Sequence, residues 1–169
     1  MQALEGVADC CYKLNDFDAA IDRSDQLAAM QDIGQNRKNL VNYISGMSLY
    51  KKNEYSRALP KLLECSKKDR TERGAEAAYH VVLVNYKLGN LDEAENRVFY
   101  ISDNFSSFSY YVAMSFVTLS DVYVAKGNVF QAKATLQSII ENYPGGEPKT
   151  LAQQRLAAIE KEESNNEEE

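Results

Sequence analysis

The sequence predicts an all-α fold built from repeated helix pairs, and three observations predict it. The first is a phrase written three times: YKLNDFDAA from Tyr12 to Ala20, YKKNEYSRA from Tyr50 to Ala58, and YKLGNLDEA from Tyr86 to Ala94. A weaker fourth copy, VYVAKGNVFQA, ends at Ala132. The second is the spacing. Aligned on the closing alanines, the copies recur after 38, 36 and 38 residues, within the range of about 20–50 that marks arrays of stacked supersecondary units. The third is a shortage of breakers. Three Pro and eight Gly in 169 residues leave long segments in which apolar residues recur at helical spacing.

Each unit reads as helix, turn, helix. In the first, about residues 1–36, Leu4, Val7, Ala8 and Cys11 share one face, Asn15-Asp16 breaks the helix, and Phe17, Ala20, Ile21 and Leu27 continue on a second one. In the second, about 37–73, Ile44, Leu49 and Tyr50 precede Asn53, and Tyr55, Ala58, Leu62 and Cys65 follow it. The third, about 74–111, places Val81, Val82 and Asn85 before Gly89-Asn90 and Leu91, Ala94, Val98 and Ile101 after. The fourth, about 112–146, places Phe116, Leu119, Ser120 and Tyr123 before Gly127-Asn128, then Val129, Ala132, Leu136 and Ile139, and closes at Tyr143-Pro144. Asn15, Asn53, Gly89 and Gly127 hold one register, where a short turn must visit left-handed backbone angles. Ala20, Ala58, Ala94 and Ala132 hold another, where two helices approach too closely for a larger side chain. Ala8, Gly46 and Ser120, each 12 residues upstream, are the small partners; Val82 departs from that pattern. Pro60 falls inside a second helix and is expected to kink or loosen it near Ser56.

After Pro144-Gly145-Gly146, residues 149–159 read as a capping helix with Leu151, Leu156 and Ile159 on one face, covering the open end of the last unit. The array is thus expected over 1–159. Residues 160–169, EKEESNNEEE, are expected to be a disordered acidic tail. That tail holds six Glu and one Lys, while the other 159 residues hold 19 acids and 18 bases. The body is nearly neutral, which gives no support to a basic, nucleic-acid-steering surface, and no nucleic-acid partner is expected. No apolar run approaches the roughly 20 residues of a membrane span, and no signal peptide is legible. Because apolar periodicity starts at once with Leu4 and Val7, the chain reads as a piece of a longer protein, cytoplasmic or periplasmic according to its parent.

The order small residue, turn Gly or Asn, apolar residue, small Ala, with a Pro closing the last unit, resembles the tetratricopeptide repeat over residues 1–144. The fourth unit, with AKATLQSIIENYP, is most similar to repeats of bacterial cell-envelope members of that family. The departures are the longer periods, Leu4, Asn42, Ala78 and Phe116 where the family carries Trp, and a terminal Pro only at Pro144. The resemblance implies a right-handed α-solenoid whose first helices line a concave groove that holds peptides. By register it implies that Tyr12, Lys13, Tyr43, Met47, Tyr50, Lys51, Tyr79, Leu83, Tyr86 and Lys87 lie on or near that groove. Tyr offers large rigid contact area and Met adapts in shape. The lysines favour an acidic or C-terminal carboxylate partner. Tyr12, Tyr50 and Tyr86 have an alternative role, packing between neighbouring first helices. The carboxylate-clamp pattern of chaperone-binding members is not matched, since Glu5, Asp9 and Glu76 stand where Lys or Asn would serve.

Nothing in the chain reads as catalytic, metal-binding or cofactor-binding. His80 is the single histidine, on a helix beside Val81 and Val82, and reads as a structural residue. Cys10, Cys11 and Cys65 form no disulfide framework. Asp16, Asp18, Asp22 and Asp25 read as helix-start acids, and Lys67, Lys68, Arg70 and Arg73 as a solvated linker. The expected function is a non-catalytic scaffold or adaptor that binds a peptide or protein in its groove. The alternative is a structural spacer or homo-oligomerisation segment, with the groove filled by the acidic tail or by a second copy.

Overall fold

A computed structural model describes residues 2–167. The described residues form nine helices and no strand: α1 (Gln2–Lys13), α2 (Phe17–Ala28), α3 (Gly34–Lys51), α4 (Tyr55–Lys68), α5 (Glu72–Lys87), α6 (Leu91–Asn104), α7 (Ser109–Ala125), α8 (Val129–Asn142) and α9 (Glu147–Glu167). This is the all-α helical-repeat class that the period predicts. The chain divides into two compact units, Met1–Asn90 and Leu91–Glu169. In the first, α1 to α5 each pack on the next, and the first helices α1, α3 and α5 also touch in sequence. In the second, α6 to α9 each pack on the next, and α7 touches α9.

The turn register behaves as its residue types require. Asn15 and Asn53 have φ of 61°, Gly89 of 76° and Gly127 of 77°. In each turn the amide after the left-handed residue reaches back five positions, as from Asp16 to the Cys11 carbonyl (2.9 Å) and from Asn128 to that of Tyr123 (2.8 Å). Those bonds satisfy carbonyls that the helix end would leave orphaned. The alanine register lies between packed helices: Ala20, Ala58, Ala94 and Ala132 are all fully buried. Across from it a Cβ added to Gly46 would lie 2.9 Å from Leu62 Cγ and Cδ2, so α3 and α4 meet backbone to side chain. Between α4 and α5 the contact is tighter still. A Cβ on Gly74 would sit 2.0 Å from the Asp69 carbonyl oxygen, and the Asp69 carboxylate binds Thr71 and Arg73. Arg73 is therefore an ion-pair partner of a buried acid rather than a solvated linker cation.

A second stripe repeats on the first helices at spacing 4-3-4. It reads Val41-Ser45-Ser48-Lys52, Ala77-Val81-Val84-Leu88, Ser115-Leu119-Val122-Lys126 and Ala152-Leu156-Ile159-Glu163. On this stripe each first helix receives the second helix before it. Leu27 of α2 clusters with Val41, Leu62 and Cys65 of α4 with Ala77, Val81 and Val84, and Leu136 and Ile139 of α8 with Ala152, Leu156 and Ile159. The fourth position carries an ion pair at three junctions: Lys52 with Asp18, Lys126 with Asp92 (2.7 Å) and Glu95 (2.7 Å), and Glu163 with Lys133 (2.7 Å).

One local feature differs from the sequence reading. The last helix does not stop at 159: α9 runs through Glu167, so residues 160–167 of the expected tail are helical. The reason is the stripe, which continues to Glu163 and its partner Lys133. Residues 168 and 169 lie outside the described residues. Pro60 lies inside α4, which spans Tyr55 to Lys68. Pro60 is exposed, so the Ser56 carbonyl left without an amide can be solvated.

Candidate functional site

The first unit brings α1, α3 and α5 side by side, and the repeated tyrosines of these helices meet. Tyr12, in the last turn of α1, stands edge-on to Tyr43 of α3, with ring centroids 6.2 Å apart and planes at 72°. Such edge-to-face pairs are favoured by the ring quadrupole. The Tyr43 hydroxyl donates to Glu76 Oε2 of α5 at 2.6 Å, a charge-assisted bond. One turn on, His80 Nδ1 lies 2.9 Å from the Glu76 carbonyl oxygen. Its ring is edge-on to Tyr50 of α3 (4.8 Å, 85°) and to Tyr79 (5.5 Å, 70°). Tyr50 in turn leans on Tyr55 at 5.7 Å. A continuous row of aromatic and polar side chains thus crosses three helices.

Burial sets the protonation states along this row. It raises the Tyr12 hydroxyl pKa above its ordinary value, the Glu76 carboxylate adding to the effect and the Tyr43 hydrogen bond opposing it. Burial likewise raises Tyr50. For His80, burial depresses the imidazole pKa, and Lys51 works in the same direction against the bond and charge of Glu76.

The ten residues predicted for this surface divide into four groups. Tyr12, Tyr43, Tyr50 and Tyr79 form the row, all half-buried. Leu83 and Tyr86 are half-buried on α5, and Lys13, Lys51 and Lys87 are exposed at the ends of α1, α3 and α5. Lys13 is held by Asp9 at 2.6 Å. Met47 is placed elsewhere. It is 2% exposed and sits in the core with Leu62 and Val81, because its position on α3 faces the second helix α4. Glu76 and His80 belong to the row although the predicted set omits them. The signal was available in sequence: Glu76, Tyr79, His80 and Leu83 follow i, i+3, i+4, i+7 and so share one face of α5.

No group of three or more His, Cys, Asp or Glu among the described residues could hold a metal ion. Cys65 is buried, which pushes its thiol up to about 12, with Asp69 adding to the shift, and an un-ionised thiol of that kind is a poor nucleophile. No described helix is long and apolar enough to cross a membrane.

A family model described as a tetratricopeptide repeat-like domain matches residues 64–169, more than half of the chain. No curated protein matches it.

Proposed function

The chain belongs to the tetratricopeptide repeat-like family, and from that premise we propose that it is a non-catalytic protein-interaction module whose ligand face is the α1–α3–α5 surface of the first unit. The observation that carries this reading is the row Tyr12, Tyr43, Glu76, His80, Tyr50 and Tyr79. Half-buried tyrosines locked by one another offer contact area with little rotamer entropy left to lose on binding. An extended peptide laid across three helices would meet aromatic edges along its length and, at one end, the exposed amines of Lys51 and Lys87. Those amines take part in no ion pair among the described residues, and they favour a carboxylate at that end of the ligand.

The competing role is that of a structural spacer, and one observation favours it. The Tyr43 hydroxyl is already satisfied by Glu76 and its ring by Tyr12, so these residues also hold neighbouring first helices together. Tyr79→Ala with Tyr86→Ala separates the two readings, because it spares that contact. Capture of partners from a lysate by the parent chain but not by a double variant with an unchanged circular dichroism melt supports the module. Equal capture by both chains rejects it.

A further inference from the structure

We propose that the cleft between α7 and α8, in the second compact unit, is a binding site for an uncharged aromatic small molecule that presents O–H or N–H donors. The cleft has a volume of about 560 Å³, within the roughly 300–1,000 Å³ of small-molecule sites. It is lined on α7 by Val112 and Phe116 and on α8 by Gln131, Thr135, Ser138 and Asn142, which at i, i+4, i+7 and i+11 share one face of that helix. Since α9 follows and packs on α8, the cleft is interior to the array rather than its open end. The repeat shows how it arises. At the registers where α8 has Ala134, Thr135 and Ser138, α4 has Pro60, Lys61 and Glu64; where α7 has Val112 and Phe116, α3 has Lys38 and Asn42. In the first compact unit Lys61 crosses to Asp25 of α2 at 3.4 Å. In the second, the registers of that pair hold Thr135 and Phe99, which form no ion bridge. Phe99 stands edge-on to Phe116 (6.4 Å, 82°) and is 45% exposed. Short neutral side chains and rings thus stand where the first compact unit has long or charged ones.

The lining sets the class of ligand. No acid or base lines the cleft among the described residues, so an ion entering it would lose hydration and meet no counter-charge. Phe116, Tyr123 and Tyr143 supply three rings to the lining, and these favour another ring in edge-on or offset contact. The α8 side chains supply acceptors. Thr135 Oγ1 donates its proton to the Gln131 carbonyl (2.8 Å), and Asn142 Nδ2 donates to the Ser138 carbonyl (2.9 Å). What those bonds leave to a ligand is the lone pairs of Thr135 Oγ1 and of Asn142 Oδ1, which take hydrogen bonds from donors. A neutral ring with hydroxyl or amide protons on one edge satisfies both sides of the cleft.

The test uses the full chain, isotopically labelled for NMR, and three probes. These are 4-hydroxybenzamide, its anionic counterpart 4-hydroxybenzoate, and 4-methoxy-N,N-dimethylbenzamide, which keeps the ring and has no donor. Saturable shifts centred on Val112, Phe116, Ala134 and Thr135 are expected for 4-hydroxybenzamide, with a dissociation constant on the order of 1 mM for so small a ligand. The anion should bind about tenfold or more weakly, and the donor-free probe about fivefold or more weakly. Thr135→Val removes an acceptor and keeps the shape, so it should weaken 4-hydroxybenzamide about fivefold and leave the donor-free probe unaffected. Thr135→Lys gives this register the side chain that α4 carries as Lys61, and it should abolish binding in a chain whose circular dichroism matches the parent's. The proposal is overturned by no saturation at about 10 mM 4-hydroxybenzamide, by shifts centred on the tyrosine row, by equal binding of the anion, or by full affinity in either Thr135 variant. Shifts at the same residues that grow with protein concentration and no probe would mark a second copy in the cleft and overturn it as well.

Discussion

Gly89 offers the cleanest test of how the repeated turn is specified. It sits at φ +76°, and a Cβ added there would meet nothing within 4 Å. Gly89→Ala therefore changes the backbone energy alone. An L-residue in the left-handed region costs roughly 1–2 kcal/mol. In a chain of this length each kcal/mol moves the midpoint by about 2–4 °C, so the expected loss is about 2–8 °C. Gly89→Asn should lose less than half of that. The Asn amide side chain tolerates these angles, and Asn15 and Asn53 hold φ of 61° at the same register. The assay is thermal unfolding followed by circular dichroism, with urea titration as a second axis because repeat arrays can depart from two-state melting. If Asn proves as costly as Ala, or if neither changes the midpoint, conformational freedom is not what selects Gly and Asn at this register.

Three further outcomes follow from single residues. Gly74→Ala forces a Cβ to within 2.0 Å of the Asp69 carbonyl, backbone that cannot swing aside, and should cost about 3 kcal/mol in denaturant unfolding. His80, its pKa depressed first by burial, favours folding when neutral. Its contribution is complete above the unfolded value of about 6.5 and falls away as pH drops below it, so a His80→Gln variant should show a flatter stability profile from pH 7 to 5. The Asp69 carboxyl is 2% exposed, yet hydrogen bonds from Thr71 and Arg73 outweigh burial and hold its pKa below the usual carboxylate value. Its contribution is present above about pH 4 and lost as pH falls further, and Asp69→Asn should remove that acid-side slope.

The fold was legible in the sequence because its rules are local and repeated. One register needs a left-handed residue and one needs Ala, and both needs recur at 38, 36 and 38 residues. The site was legible to the extent that it shares this register. Tyr12 and Tyr50 occupy one place in the repeat, Tyr43 and Tyr79 another, and their meeting across helices follows from stacking. Glu76 and His80 occur in one unit only, so the repeat does not point to them, and their helical spacing with Tyr79 and Leu83 is the one signal that does. Met47 was misplaced for the opposite reason: its residue type suits a binding surface, but its angle on α3 turns it toward α4. The length of α9 was missed because composition marks EKEESNNEEE as unable to bury anything. One ion pair, Glu163 with Lys133, is a tertiary fact that composition does not carry.

The most direct measurement is site-specific photo-crosslinking in lysate, with a photoreactive phenylalanine analogue at Tyr86 on the α5 face and, as the comparison, at exposed Arg57 on α4. The account predicts partner crosslinks from position 86 that vanish when Tyr79→Ala is added, and none of the same partners from position 57. The same products from both positions, or crosslinks from position 86 that persist in the Tyr79→Ala background, would contradict it.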